Sequence, residues 1–214
     1  MPTPSFACGA VCGLDLAMVT VAITGKVDVC NLAPSLGVKV GDPFKLSFLT
    51  LPSPVDRIAN DGSGMHLRDG IAPYLVCNET FAVSVGGLKG TMGPATPPVP
   101  PVLVPSTDVY FSLSAKRPVH DGIFLSTAAS TPMPLPILMD THKLYTGDFA
   151  LDLSFGYVRG TLPSLHMKQA SGSMYTSKGM LSSQLSISVS FPTNVVLSVE
   201  LDAIEMSYPK DSRS

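Results

Sequence analysis

The chain has 214 residues, a formal net charge of −2, 14% charged residues and a mean hydropathy of +0.31. Against an ordinary charged fraction of about 25%, this is an apolar protein, yet no run reaches the ~18–20 apolar residues a membrane helix needs. Scattered charge, 7% aromatics and no Trp leave neither the basic stripe nor the stacking residues of a nucleic-acid binder.

Met1–Gly13 carries Pro2, Pro4, Gly9 and Gly13 and reads as an irregular arm. The most apolar early run, Leu14–Ile23, contains Asp15 and Thr20 and has no Lys or Arg before it, so it does not read as a secretory signal. Val19, Val21 and Ile23 then alternate with Thr20 and Ala22, and extended character continues to Cys30, which predicts the first long strand. After a turn at Asn31–Ser35, Gly37–Thr50 predicts a short strand over Val38–Val40, a break at Gly41-Asp42-Pro43 and a longer strand with Phe44, Leu46 and Phe48 on one face.

Leu51–Gly64 is a turn-rich loop. Tyr74–Val76 and Phe81, Val83 and Val85 are the next two strand candidates, with Asn78-Glu79-Thr80 between or within them and Gly86-Gly87 ending the second, and a hairpin or meander is the economical reading. The segment 93–105 is proline-dense, which denies it ladder donors, and its Val99, Val102, Leu103 and Val104 predict a strap packed on the body rather than a linker. Val109, Phe111 and Leu113 mark another strand, and Ile123-Phe124-Leu125 a shorter one.

Phe149, Leu151 and Leu153 alternate with Asp152 and Ser154, and Val158–Leu162 is expected to pair back across a bend at Gly156. Leu185, Ile187, Val189 and Phe191 alternate with polar residues before Pro192-Thr193-Asn194 turns the chain into Val195, Leu197, Val199 and Leu201, a hairpin. The apolar phase then moves to Ile204, Met206 and Tyr208, which requires one residue to be absorbed near Asp202-Ala203. Eight to twelve strands and no helix predict an all-β, antiparallel fold: a jelly-roll-like β-sandwich, with a closed barrel as the alternative. The expected organisation is an arm over 1–18, one domain over 19–208 and a tail over 209–214.

Candidate chemistry is sparse. Of His66, His120, His142 and His166, three lie near an acid, Asp69, Asp121 or Asp140, but no Gly-x-Ser-x-Gly elbow, His-Glu-x-x-His or phosphate-binding Gly loop is present. No catalytic, cofactor or metal residue is assigned, and the protein is expected not to be an enzyme. The Asp56–Gly62 loop offers oxygen ligands without the alternate-position acids that wrap calcium. Cys8, Cys12, Cys30 and Cys77 allow three disulfide pairings or none, and Asn78-Glu79-Thr80 matches a glycosylation sequon. Tyr74, Tyr145, Tyr157 and Tyr175 are the candidate platforms for a carbohydrate.

Ile23–Val27, with its Thr-Gly pair, Val38–Phe48, with its Val-Gly-Asp turn feeding an alternating strand, and Phe81–Gly87, a strand ending in Val-Gly, together resemble the β-rich secreted domains of bacterial PEP-CTERM proteins. The resemblance spans about residues 19–87. It implies a cell-surface or matrix protein with a β-sandwich and carries no catalytic residue. Low charge and an apolar face on nearly every strand lead to the same expectation: a structural or interaction protein, a homo-oligomer or subunit of a surface layer, coat or fibre, with a ligand- or carbohydrate-binding module as alternative and a small β-barrel hydrolase or lyase behind it.

Overall fold

The computed structural model describes residues 18–54, 70–92, 110–114, 120–127, 137–141, 149–162, 166, 174–189 and 194–208. The predicted arm, the strap at 93–105, the tail and the Asp56–Gly62 loop lie outside these residues.

Within them the chain forms β1 (Val19–Cys30), a single 3-10 turn (Pro34–Leu36), β2 (Pro43–Thr50), β3 (Ile71–Val85), β4 (Leu88–Met92), β5 (Tyr110–Ser114), β6 (His120–Ser126), β7 (Ile137–Met139), β8 (Phe149–Val158), β9 (Met174–Thr176), β10 (Met180–Val189) and β11 (Asn194–Ser207). Every pairing is antiparallel. The order β10-β11-β1-β2-β3-β5-β6-β8 returns to β10, because Leu151, Leu153 and Phe155 of β8 lie opposite Ile187, Leu185 and Ser183. Of the two arrangements the alternation allows, the protein therefore adopts the closed eight-stranded barrel. Closure leaves the barrel wall without a free sheet edge over the paired residues.

The long strand β3 serves two neighbours in turn. Its first half, Ile71–Leu75, pairs with β5, and its last residues, Ala82–Val85, pair with β4, which passes the ladder through β7 to Phe149 of β8. The gap between β3 and β8 is thus spanned by β5 and β6 at one end and by β4 and β7 at the other.

Side chains fill the interior, as expected for a barrel of this strand number. Val19, Val21 and Ile23 of β1 and Phe44, Leu46 and Phe48 of β2 are at most 1% exposed. Phe48 stacks on Phe81 at 6.0 Å between ring centroids and meets Phe111 edge-on at 5.6 Å. Most of the apolar faces read from the sequence line this interior, and among the described residues the large apolar side chains left exposed are Val29, Val40, Leu138, Val158, Leu181 and Val195.

Bulges keep each inward row facing the core. Thr24 pairs with Ala203 and Gly25 with Leu201, so Asp202 is the extra residue that shifts β11 from Leu201 to Ile204, where the phase change in the sequence requires it. In β3 the inward row moves from Ala72, Tyr74 and Val76 to Phe81, Val83 and Val85 across Cys77–Thr80, so the two candidates expected as a hairpin or meander are instead one bulged strand, because the bulge absorbs the phase change without reversing the chain. The Thr80 hydroxyl accepts from Leu49 N–H at 2.8 Å and donates to Cys77 O at 2.7 Å, satisfying backbone groups that the bulge removes from the ladder.

Two local expectations are corrected. Val38–Val40 is not a strand. Lys39-Val40-Gly41-Asp42 is a β-turn closed by Asp42 N–H donating to Lys39 O, with Gly41 at φ +88° and the Asp42 carboxylate accepting from Lys39 N–H. A polar turn competes better here because Val38 is buried while Val40 stands 62% exposed, so the two valines do not share a buried face. Likewise Gly156 does not bend the chain: β8 runs through it opposite Gly122 of β6, over which the Phe124 ring lies, and only after Val158 does the backbone turn. β10 and β11 pair as the predicted hairpin, but Val195, expected in its apolar row, is 46% exposed while Val196 is buried, because the ladder shifts register between Ile187 and Ser188; Ser186 and Ser188, in the polar phase, are 6% and 4% exposed, and Phe191–Thr193 lie outside the described residues.

Candidate functional site

The acid singled out beside a histidine, Asp121, is 2% exposed and lies on the inner face of β6 opposite Tyr157. Its Oδ2 accepts hydrogen bonds from Gly160 N–H at 2.8 Å and Leu162 N–H at 2.9 Å. These donors belong to the turn after β8, where Gly160 has φ +88° and Thr161 bonds back to Val158 O. Asp121 is thus a latch that closes the turn. This carboxylate oxygen is committed to backbone rather than to orienting an imidazole.

The other candidates are dispersed. Asp140, just after β7, and His166 are exposed. Asp69, His66, His142 and Tyr145 lie outside the described residues, as does the side chain of His120. Among the described residues no three His, Cys, Asp or Glu side chains come together to hold a metal, and no helix is long and apolar enough to cross a membrane.

Three tyrosines named as carbohydrate platforms are interior: Tyr74 and Tyr157 are fully buried and Tyr175 is 3% exposed. They alternate in phase with core residues, so β-strand geometry turns them into the barrel. Tyr157 and Tyr175 approach at 6.1 Å between ring centroids. Burial, and secondarily the neighbouring Tyr175, pushes the Tyr157 hydroxyl up to about 12. A phenol so held stays protonated at neutral pH and supplies no base or nucleophile there. Its hydroxyl makes no hydrogen bond among the described residues.

The cysteines divide by role. Cys77, 3% exposed at the start of the β3 bulge, is disulfide-bonded. Cys30 is a free, half-buried thiol that donates to Val38 O at 3.5 Å. The sequon Asn78-Glu79-Thr80 spans the bulge, with its Thr hydroxyl engaged as described above.

The feature that sequence reading missed lies on the outer wall. Across β11, β1, β2, β3 and β4 the outward residues form cross-strand rows: Glu205, Ala22, Ser47, Ala82 and Thr91 in one, and Ala203, Thr24, Lys45, Ser84 and Lys89 in the next. Acidic residues gather on the β11 side, where Glu200, Asp202 and Glu205 are exposed, and basic residues lie across β1, β2 and β4, where Lys26, Lys45 and Lys89 are exposed. None of these six makes an ion pair among the described residues. Lys26 lies directly opposite Glu200, and Asp28 of β1 is exposed as well, so the two signs are interspersed. Each charge was legible as the polar phase of a strand, but which charges become neighbours, as Lys26 and Glu200 do, is set by the strand order.

A closed antiparallel barrel with a side-chain-filled interior is the class of protein these residues define. No protein-family model, curated protein or solved structure matches the chain.

Proposed function

We propose that the protein is a non-enzymatic structural or interaction module that works through its outer wall as a subunit of a larger assembly at a cell or particle surface. The observation that carries this reading is an interior filled by side chains, where Val19, Val21, Ile23, Phe44, Leu46 and Phe48 are at most 1% exposed, which leaves the outer wall as the surface offered to a partner. The polar groups of the wall support the same reading: the buried Asp121, Thr50 and Thr127 side chains and the half-buried Thr80 hydroxyl all bind backbone groups.

The disulfide at Cys77 supports an oxidising, extracytoplasmic location, because such bonds persist where thiols are not kept reduced. The test is the solution mass of untagged protein by light scattering across a concentration series. A mass rising above 22.4 kDa with concentration is expected. A constant monomer mass at every concentration, with no partner retained from extracts of the native surface fraction, overturns the reading.

A further inference from the structure

We infer that Cys77 is bonded to a cysteine of the N-terminal arm, Cys8 or Cys12, so that the arm is stapled across the outer face of β2 onto β3. The chain has four cysteines, Cys8, Cys12, Cys30 and Cys77, of which the first two lie outside the described residues. Cys77 is disulfide-bonded and Cys30 is a free thiol, which leaves the two arm cysteines as partners within the chain. Register excludes Cys30 independently. Thr20 pairs with Leu49 and Leu49 with Cys77, so these three residues form one cross-strand row. Cys30 stands ten residues further along β1 than Thr20. That is roughly 33 Å at ~3.3 Å per residue, whereas a disulfide needs its Cα atoms within about 7 Å.

The arm is within reach. Two inter-strand spacings of about 4.8 Å put Thr20 about 10 Å from Cys77. Cys12 precedes Thr20 by eight residues and Cys8 by twelve, and an extended chain covers up to about 3.3–3.6 Å per residue, enough to reverse before β1 and cross β2. The outer face shows a cover along this route. On β2 the outward Leu49 is half-buried, while the next outward residues, Ser47 and Lys45, are exposed. On β3 the outward Ile71 is 8% exposed, Pro73 is buried, Leu75 half-buried and Cys77 3% exposed, whereas beyond the bulge Ala82 is exposed. Every described strand belongs to the one wall, so the cover over this apolar strip comes from outside the described residues. The arm offers Phe6, Val11, Leu14 and Leu16 to it.

Forming the bond joins two thiols into one disulfide with loss of two protons and two electrons, which an external disulfide takes up by exchange. The arm thiolate attacks that disulfide and releases one donor thiol; the Cys77 thiolate then displaces the second, and the donor leaves as two thiols. The bond closes a loop of about 65–70 residues, from the arm through β1 and β2 into β3, and removes that loop's freedom from the unfolded chain. The arm cysteine left over has no partner within the chain, so the oxidised protein carries two free thiols.

The experiment is disulfide mapping of the full, untagged chain, oxidised with glutathione disulfide, alkylated in urea without reductant and cut with trypsin. Cleavage after Lys26, Lys39, Arg68 and Lys89 places the cysteines on three peptides, Met1–Lys26, Val27–Lys39 and Asp69–Lys89. The expected result is Met1–Lys26 joined to Asp69–Lys89 in a chain of monomer mass on a non-reducing gel, with Cys30 and one arm cysteine alkylated. Reduction should lower the urea midpoint by roughly 1–2 M. It should also raise oxidative footprinting of Leu49 and Leu75 while leaving Phe44 and Phe48 unchanged. A Cys77 that is alkylated, joined to Val27–Lys39 or joined to a second chain overturns the inference. A mapped bond with unchanged footprinting at Leu49 overturns the route across β2. Neither result alters the light-scattering mass, which tests the assembly reading separately.

Discussion

Tyr157→Phe changes one oxygen and tests the description of the barrel interior by its sign. A buried tyrosine whose hydroxyl is hydrogen-bonded loses about 1 kcal/mol of stability when the hydroxyl is removed. Here the side chain is fully buried and the hydroxyl makes no hydrogen bond among the described residues. Its desolvation in such a site costs about 1–3 kcal/mol, part of which the phenylalanine returns. The variant is expected to be as stable as the wild type, or more stable by about 0.5–1 kcal/mol.

The same residue sets a pH dependence. The folded Tyr157 hydroxyl titrates near 12, above its ordinary value of 10.0, so between these values the unfolded chain has released a proton that the folded chain retains. The stability linked to Tyr157 is fully present below pH 10.0 and is lost as pH rises toward 12, by at most about 2.7 kcal/mol for a shift of about two units. Urea unfolding of both proteins at neutral pH and through the alkaline range, with tyrosinate absorbance followed in parallel, measures both arms. The variant should fall less steeply than the wild type above pH 10. A variant destabilised by more than about 1 kcal/mol at neutral pH would show that the hydroxyl is hydrogen-bonded, and parallel alkaline slopes would show that Tyr157 is not buried in the folded state.

Three further outcomes follow from packing. Gly25→Ala places a Cβ against the Glu200 carbonyl and 2.7 Å from Val199 Cγ1, where backbone cannot yield cheaply, and should cost about 2–3 kcal/mol in urea unfolding, whereas Thr24→Ala, on the outer face, should change stability by less than about 0.5 kcal/mol. Phe48→Ala removes the ring shared by Phe81 and Phe111 and should cost about 3–5 kcal/mol, read from the same assay. Asp121→Ala leaves the Gly160 and Leu162 N–H groups without their acceptor; a loss of about 2–4 kcal/mol is expected, with hydrogen exchange accelerated at Gly160 and Leu162 but unchanged at the β1–β2 ladder.

The sequence by itself determined what alternation and turn chemistry determine. Val19–Cys30 is a strand with Val19, Val21 and Ile23 inward, the Leu185–Leu201 region is a hairpin, and the phase change from Leu201 to Ile204 demands the extra residue that Asp202 supplies. These are local consequences of a two-residue period, so they need no knowledge of partners. Short segments escaped for the same reason: β7 and β9 have three residues each, too few to show a period. The valines at 38 and 40 mimicked a strand because alternation alone does not separate a buried face from a turn that buries one of the two.

Only the tertiary structure decided that the sheet closes on itself, that Tyr74, Tyr157 and Tyr175 point inward, that Asp121 latches a turn, and that Lys26 stands opposite Glu200. Each depends on which strands are neighbours, a non-local choice made by the packing of the whole interior. The inward phase of each strand is written in its own residues; the identity of the strand beside it is not.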